Sequence, residues 1–371
     1  MTHADLLRRR LRQQRVSSPL PDAAAVVGWL GAVQAQDYPA GKWAVGLRTR
    51  GATDQRVESA IEAGEILRTH VLRPTWHFVR ASDIRWMLDL TAPRVKAGMA
   101  FFNRYHGLDE RLFRRSETAL RRAFDGTPYL TRQEIGAALR RARVLKAGDD
   151  SLRLIGLIMR AELDAVICSG PRAGKQFTYA LLDARVPSPS SLAIDEARAE
   201  LARRYFISHG PATLKDFAWW SGLTVASARQ GLDAIAGGLD KETVGGTTFW
   251  SDRTTPHGRP RFEAHLLPCY DECLLSYRDE SAAPDQRGGG TRGPREYGPT
   301  IVVDGRIAGT WARTFERERV VITLKPYAPL TRRAVAAIGE AAERYGRFLG
   351  QRILLLSTAS RPTELNRRIR R

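Results

Sequence analysis

The sequence predicts an α+β chain, mainly helical, in which a unit of two helices and a hairpin occurs three times ahead of a small C-terminal β domain. Three observations predict this. Helix-capping residues followed by apolar residues at helical spacing recur in pairs. Each pair is followed by two short alternating runs around a turn. After residue 260, alternation replaces helical periodicity.

In the first unit, Asp22 caps a helix carrying Val26, Val27, Leu30 and Val33. It ends near Tyr38-Pro39, because proline pushes the preceding residue out of helical geometry. Thr53-Asp54 opens a second helix with Val57 and Ile61, and Gly64 terminates it. Strands at 67–72 and 75–80 follow. In the second unit, Thr131 with Glu134 is a capping box opening Ile135, Leu139 and Val144. Asp149-Asp150-Ser151 opens a longer helix through Leu154, Leu157, Ile158 and Leu163. Strands at 165–168 and 176–182 flank a basic turn at 170–175. In the third, Thr213 caps Leu214, Phe217 and Trp220, Ser221-Gly222-Leu223 is the turn, and Thr224 opens a helix through Ala228, Leu232 and Ile235. A hairpin at 239–244 and 247–250 turns at Gly245-Gly246. Helix, turn, helix, hairpin is the winged-helix arrangement, and three in tandem point to an array. Longer helices at 82–106, 109–125 and 191–208 separate the units. Beyond them come an apolar run at 266–277, a mobile basic loop at 282–299, strands at 301–307 and 320–324, a helix at 331–349 and a strand at 353–356. The tail, 367–371, is too short for a helix and frays. The boundaries are 1–108, 109–190 and 191–260 for the three units and 261–371 for the β domain.

A length of 371 residues suits two to four domains. With 43% apolar and 27% charged residues the composition is that of a globular protein. No window approaches the roughly 18 uninterrupted apolar residues of a membrane span. The first twelve residues, MTHADLLRRRLR, lack the apolar core of a secretory signal. Both facts favour a cytoplasmic protein. The charge is the unusual quantity: 59 basic against 40 acidic residues give +19, and 52 of the 59 are arginine. Such a surplus suits a polyanion, nucleic acid or an acidic membrane surface. A GC-rich genome also inflates arginine, but it does not explain why the acids fail to keep pace. Cys168, Cys269 and Cys273 are odd in number and suit a reducing compartment. Cys269 and Cys273, near His257 and His265, lack the two-residue spacing of a zinc knuckle, so two buried thiols are the simpler reading. No metal and no cofactor is assigned.

The chain carries no phosphate-cradling loop, no Gly-x-Ser-x-Gly elbow and no paired-histidine metalloprotease motif. Gln34-Ala35-Gln36-Asp37 stands out, placed before Pro39 with Gly41 and Lys42 beyond. In a regular helix residues two apart point about 200° from each other, so Gln34 and Gln36 share a face only if the backbone unwinds. Two amides and a carboxylate converging there could hold a water molecule; a polar helix end with a capped turn fits the same letters. In the second cluster, LRTHVLRPTWHFVR at 67–80, strand alternation turns Trp76 and Phe78 inward and Thr75 and His77 outward, with Arg73. A strand histidine is also commonly structural. In the third, Asp271, Glu272, Arg278 and Asp279 place charges in an apolar context, the pattern of an internal ion pair. Lys42, Arg48, Arg50, Arg68, Arg73, Thr75, Arg172 and Lys175 are the residues expected to face a nucleic acid.

Four strings in order, VQAQDYPAGKWAVGLR (33–48), ILRTHVLRPTWHFV (66–79), LLPCYDECLLSYRD (266–279) and VVDGRIAGTW (302–311), resemble the winged-helix DNA glycosylases of the AlkZ/YcaQ type. The resemblance spans nearly the whole chain. It implies three winged helices and a small β domain around a basic concave channel. It further implies a monofunctional, metal-independent glycosylase that excises N-alkylated purines, including bulky or cross-linked adducts, from double-stranded DNA. The family's Gln–aliphatic–Gln motif falls on Gln34, Ala35 and Gln36, with alanine as the middle residue. The second glutamine places the chain nearer the AlkZ branch, associated with self-resistance to alkylating natural products. Asp37 and His77 are the weaker catalytic candidates. Such a protein acts as a monomer, at the nucleoid. The competing readings are a DNA-binding regulator without catalysis, and a protein-interaction scaffold.

Overall fold

The computed structural model describes residues 2–146, 148–149, 151–187, 191–253, 262–278 and 298–357. His257, Asp279, nearly all of the basic stretch expected at 282–299 and the C-terminal arginines lie outside the described residues. The chain opens with α1 (His3–Gln13), where Thr2 and Asp5 form a capping box. No element is predicted there from the sequence. Asp22 caps α2 (Ala23–Leu30) as expected, but the helix stops at Gly31, whose φ is +80°. The chain then extends into β1 (Val33–Gln34). Tyr38-Pro39 opens a helix instead of ending one: Asp37 caps α3 (Tyr38–Leu47), and proline sits in the first turn, where its missing N–H costs nothing. After α4 (Asp54–Glu62), capped by Thr53, β2 (Ile66–Val71) and β3 (Arg73–Arg80) pair antiparallel. β1 adds to the far edge of β3.

The middle of the chain follows with α5 (Ile84–Gly98), α6 (Ala100–Tyr105) and α7 (Glu110–Ala123). Then come β4 (Leu130–Thr131), α8 (Arg132–Arg141) with the expected Thr131–Glu134 capping box, and α9 (Ser151–Leu163). β5 (Ile167–Ser169) and β6 (Thr178–Leu181) make a sheet in the order β4-β6-β5. A short α10 (Leu182–Arg185) precedes α11 (Ile194–His209). α12 (Leu214–Ser221) and α13 (Val225–Ile235) start at Thr213 and Thr224, and β7 (Leu239–Val244) and β8 (Thr247–Asp252) form the hairpin. The remainder is β9 (Ala264–Leu267), α14 (Glu272–Leu275), β10 (Thr300–Val303), β11 (Arg306–Phe315), β12 (Arg319–Pro326), α15 (Arg332–Leu349) and β13 (Arg352–Ser357). Its five-stranded sheet runs β13-β12-β11-β10-β9. β13 lies parallel to β12, with α15 as the crossover that a parallel pair requires. The described residues are mixed α+β and about half helical. Among the described residues no helix is long and apolar enough to cross a membrane.

Three apolar cores hold these pieces, and they do not follow chain order. One joins α1–α4 to the C-terminal sheet and α15. Trp43 packs on Tyr345 and Phe348 and donates to the Leu266 carbonyl at 2.8 Å. A second joins β2 and β3 to α5, α11, α12 and α13. The third is built from α7, α8, α9 and the strands beside them. Gly222, with φ +69°, closes α12 against the turn between β2 and β3, where a Cβ would stand 2.1 Å from the Leu72 carbonyl oxygen. That contact fixes the root of Arg73.

Candidate active site

The extended backbone after Gly31 places Gln34 opposite His77 in the β1–β3 ladder, and Ala35 N–H continues it to the Trp76 carbonyl at 2.7 Å. A strand repeats every two residues, so Gln34 and Gln36 can serve one side, which a helix would not allow. Ala35 is fully buried between them, with its carbonyl held by Arg68 Nε at 3.0 Å.

Gln34 is 7% exposed. Its Oε1 accepts from Arg73 Nη2 at 3.0 Å and from Thr75 Oγ1 at 3.2 Å. Arginine can only donate, which fixes the amide's orientation and occupies both lone pairs of the carbonyl. The donor Nε2 is the end of this amide left for a ligand. Gln36 is exposed, and its Oε1 lies 3.4 Å from Trp76 N–H. Asp37 Oδ1 caps α3 through Ala40 N–H at 3.0 Å, and its Oδ2 accepts from the Cys269 thiol at 3.5 Å. Burial and the neighbouring Asp37 push the Cys269 thiol up to about 12, so it is no nucleophile at neutral pH.

His77 is 0% exposed, a correction to the outward face expected from strand alternation. Its Nδ1 lies 2.8 Å from the Thr75 carbonyl, which can only accept, so the proton sits there. Nε2 then accepts from Arg73 Nη2 at 3.3 Å. Burial, reinforced by Arg73, lowers the His77 pKa to about 3. The ring is neutral at neutral pH, and its single proton is held by the Thr75 carbonyl. Behind the strand, Glu272 Oε1 accepts Gln34 N–H at 2.7 Å, and Oε2 accepts from Trp220 Nε1 at 3.1 Å and from Ser276 Oγ. Burial alone would raise the Glu272 pKa; His209, Arg73 and the Ser276 hydroxyl outweigh it and hold the carboxyl at about 2.

The residues expected to face DNA divide sharply. Arg50 and Lys175 are exposed and Arg172 half-buried. Arg73 and Thr75 are half-buried and engaged with Gln34. Three are corrections, because their charge is used inside the protein. Lys42 is buried, 2.6 Å from Glu58 and 2.8 Å from Asp54. Arg48 is fully buried on Asp271 at 2.8 Å. Arg68 is buried, stacked on Trp76 and Phe177. Asp271 thus forms the expected internal ion pair, though with Arg48, 223 residues distant in sequence. Trp76 is half-buried instead of core, while Phe78 is core as expected. Cys273 is buried against Arg48 and Gln14. Among the described residues no cluster of His, Cys, Asp and Glu could hold a metal. The links from Gln34 to Arg73 and Glu272 escaped the sequence; two acids in the apolar run at 266–277 were the available signal.

The protein family described as DNA glycosylase AlkZ-like matches residues 27–348. A Streptomyces sahachiroi protein named interstrand DNA cross-link repair glycosylase is 26% identical over 351 residues, 89% of this chain and 91% of that protein. The solved structure of the Streptomyces sahachiroi DNA glycosylase AlkZ is similar in fold, with a TM-score of 0.78 at 23% identity over 96% of this chain and 100% of that one. With a family match across most of its length and the fold in agreement, this chain belongs to the AlkZ-like DNA glycosylase family.

Proposed function

We propose that the protein hydrolyses the N-glycosidic bond of N-alkylated purines in double-stranded DNA, with Gln34 and Gln36 positioning the attacking water. The observation that carries this is the pinned amide: Gln34 is held by Arg73 and Thr75 with its N–H end free, two residues from the exposed Gln36. Alkylation at N7 or N3 makes the base cationic, so it leaves without an acid, and the neutral His77 is consistent with that. What remains is to place water against an oxocarbenium-like sugar. In this mechanism Gln34 Nε2 donates to the water oxygen and the Gln36 carbonyl accepts a hydrogen bond from one of its O–H groups; the C1′–oxygen bond forms as the bond to the base breaks, and the water's spare proton passes to solvent. Asp37, occupied as a helix cap, is secondary. The name of the Streptomyces relative, an interstrand DNA cross-link repair glycosylase, supports extending the substrate class to interstrand cross-links.

In this reading the three groups of helices and hairpins, at 1–108, 109–190 and 191–260, are winged-helix units that line a basic concave channel with the β domain at 261–371. Arg50, Arg172 and Lys175 grip phosphates, and the protein works as a monomer at the nucleoid. The test is incubation with duplex DNA carrying N7-methylguanine, then hot alkali to break the strand at abasic sites. Gln34→Ala/Gln36→Ala should lose the breaks by about a hundredfold or more. Breaks that persist undiminished in that variant sink the assignment.

A further inference from the structure

We propose that Glu272 is a positioning residue for base excision, its buried carboxylate fixing the backbone of Gln34 and so the point from which the Gln34 amide reaches the water. The proposal rests on Gln34 being catalytic. Gln34 is clamped at two ends: Arg73 and Thr75 hold its side-chain carbonyl, and Glu272 Oε1 takes its backbone N–H at 2.7 Å. β1 is only two residues long. So short a strand has little ladder of its own to fix it, and an outside acceptor at its final residue decides where it stands. Glu272 is 0% exposed, and its other oxygen is tied to Trp220 Nε1 and Ser276 Oγ. The acceptor is therefore itself immobile, braced by α12 on one side and the turn after α14 on the other.

The sign of the charge fits the same role. Cleavage builds positive charge on the sugar, while the guanidinium of Arg73 stands against the very amide that works there. An anion directly behind that amide offsets the guanidinium. No neutral residue reproduces both functions. Both oxygens of a carboxylate accept, whereas an amide has one acceptor and one donor end, so glutamine at 272 must abandon one of the two obligate donors, Gln34 N–H or Trp220 Nε1–H.

Single-turnover excision of N7-methylguanine from duplex DNA, at saturating protein, separates this role from a purely structural one. Glu272→Gln should slow bond cleavage by about tenfold to a hundredfold while the duplex Kd stays within about twofold. In a Gln34→Ala background the same substitution should slow the residual rate by less than about twofold, because the residue it positions is gone. If Glu272→Gln does not fold, Glu272→Asp, which keeps the charge but draws it back by one methylene, is put through the same comparison with the same outcomes expected. A variant that cleaves at the parental rate overturns the proposal, and so does an undiminished loss in the Gln34→Ala background. Gln34→Ala alone reports on the catalytic reading: full activity in that variant removes the glutamine mechanism whatever Glu272 does.

Discussion

Gln34 owes its orientation to an arginine. Arg73 Nη1 donates to the Trp220 carbonyl at 2.6 Å while Nη2 reaches Gln34 and His77. A lysine ammonium is a point charge and cannot span this fork. Arg73→Lys should therefore slow single-turnover excision by about tenfold with little change in duplex Kd, and an unchanged rate would refute the clamp. His77 supplies a pH prediction. Its folded pKa, about 3, lies below the ordinary 6.5, so the unfolded chain binds the proton more readily between those values. The stability of the neutral ring is whole above about pH 6.5 and is lost as pH falls toward 3. Glu272 acts in the same direction lower down, whole above its ordinary 4.5 and lost as pH falls toward 2. Thermal melts from pH 7 to 4 should fall more shallowly for His77→Asn than for the parent. Parallel curves would remove His77 from the account.

At the scale of elements, caps were the legible part. Asp22, Thr53, Thr131, Thr213 and Thr224 each accept the expected backbone N–H, since a cap is a local event. At 31–39 two local signals compete: Ala32 and Val33 continue the apolar rhythm of α2, while Gly31, with φ +80°, ends the helix as a glycine stop does. Proline can end a helix or, behind an aspartate cap, start one, and at Pro39 the cap decides for the start. Between the end of α2 and the start of α3 lie the strand that carries Gln34 and the non-helical backbone that carries Gln36. Arg48 and Lys42 were misplaced for a different reason: charge is local, but the partner that consumes it is not. Gly222 offers a test at this scale. Alanine there must adopt φ +69° and press a Cβ into the Leu72 carbonyl oxygen, displacing the turn that roots Arg73. Gly222→Ala should cost about 2 kcal/mol or more and slow excision as well. A melting temperature equal to the parent's would show that the turn yields freely.

For the whole molecule, the 59 basic residues overstate what DNA meets. Arg10 is buried over the Tyr277 ring, Arg48 is spent on Asp271, and Arg204 is spent on Asp83 and Glu200. The slope of log affinity against log salt counts the cations that meet phosphate. Lys175→Ala should reduce that slope by about one, whereas Lys42→Met should leave it unchanged and lower the melting temperature. A reduced slope for Lys42→Met would place that ammonium on the DNA after all. The assembly of the site carries a further consequence. Gln34 meets Glu272 across 238 residues of sequence, and Trp43 finds its carbonyl partner across 223. A nascent chain that has already made Arg73 and Thr75 still lacks Glu272, the acceptor of the Gln34 backbone N–H. If Gln34 works as proposed, a chain that ends before β9 is expected to leave N7-methylguanine in duplex DNA uncut, because the carboxylate that holds the Gln34 backbone belongs to the last third of the sequence.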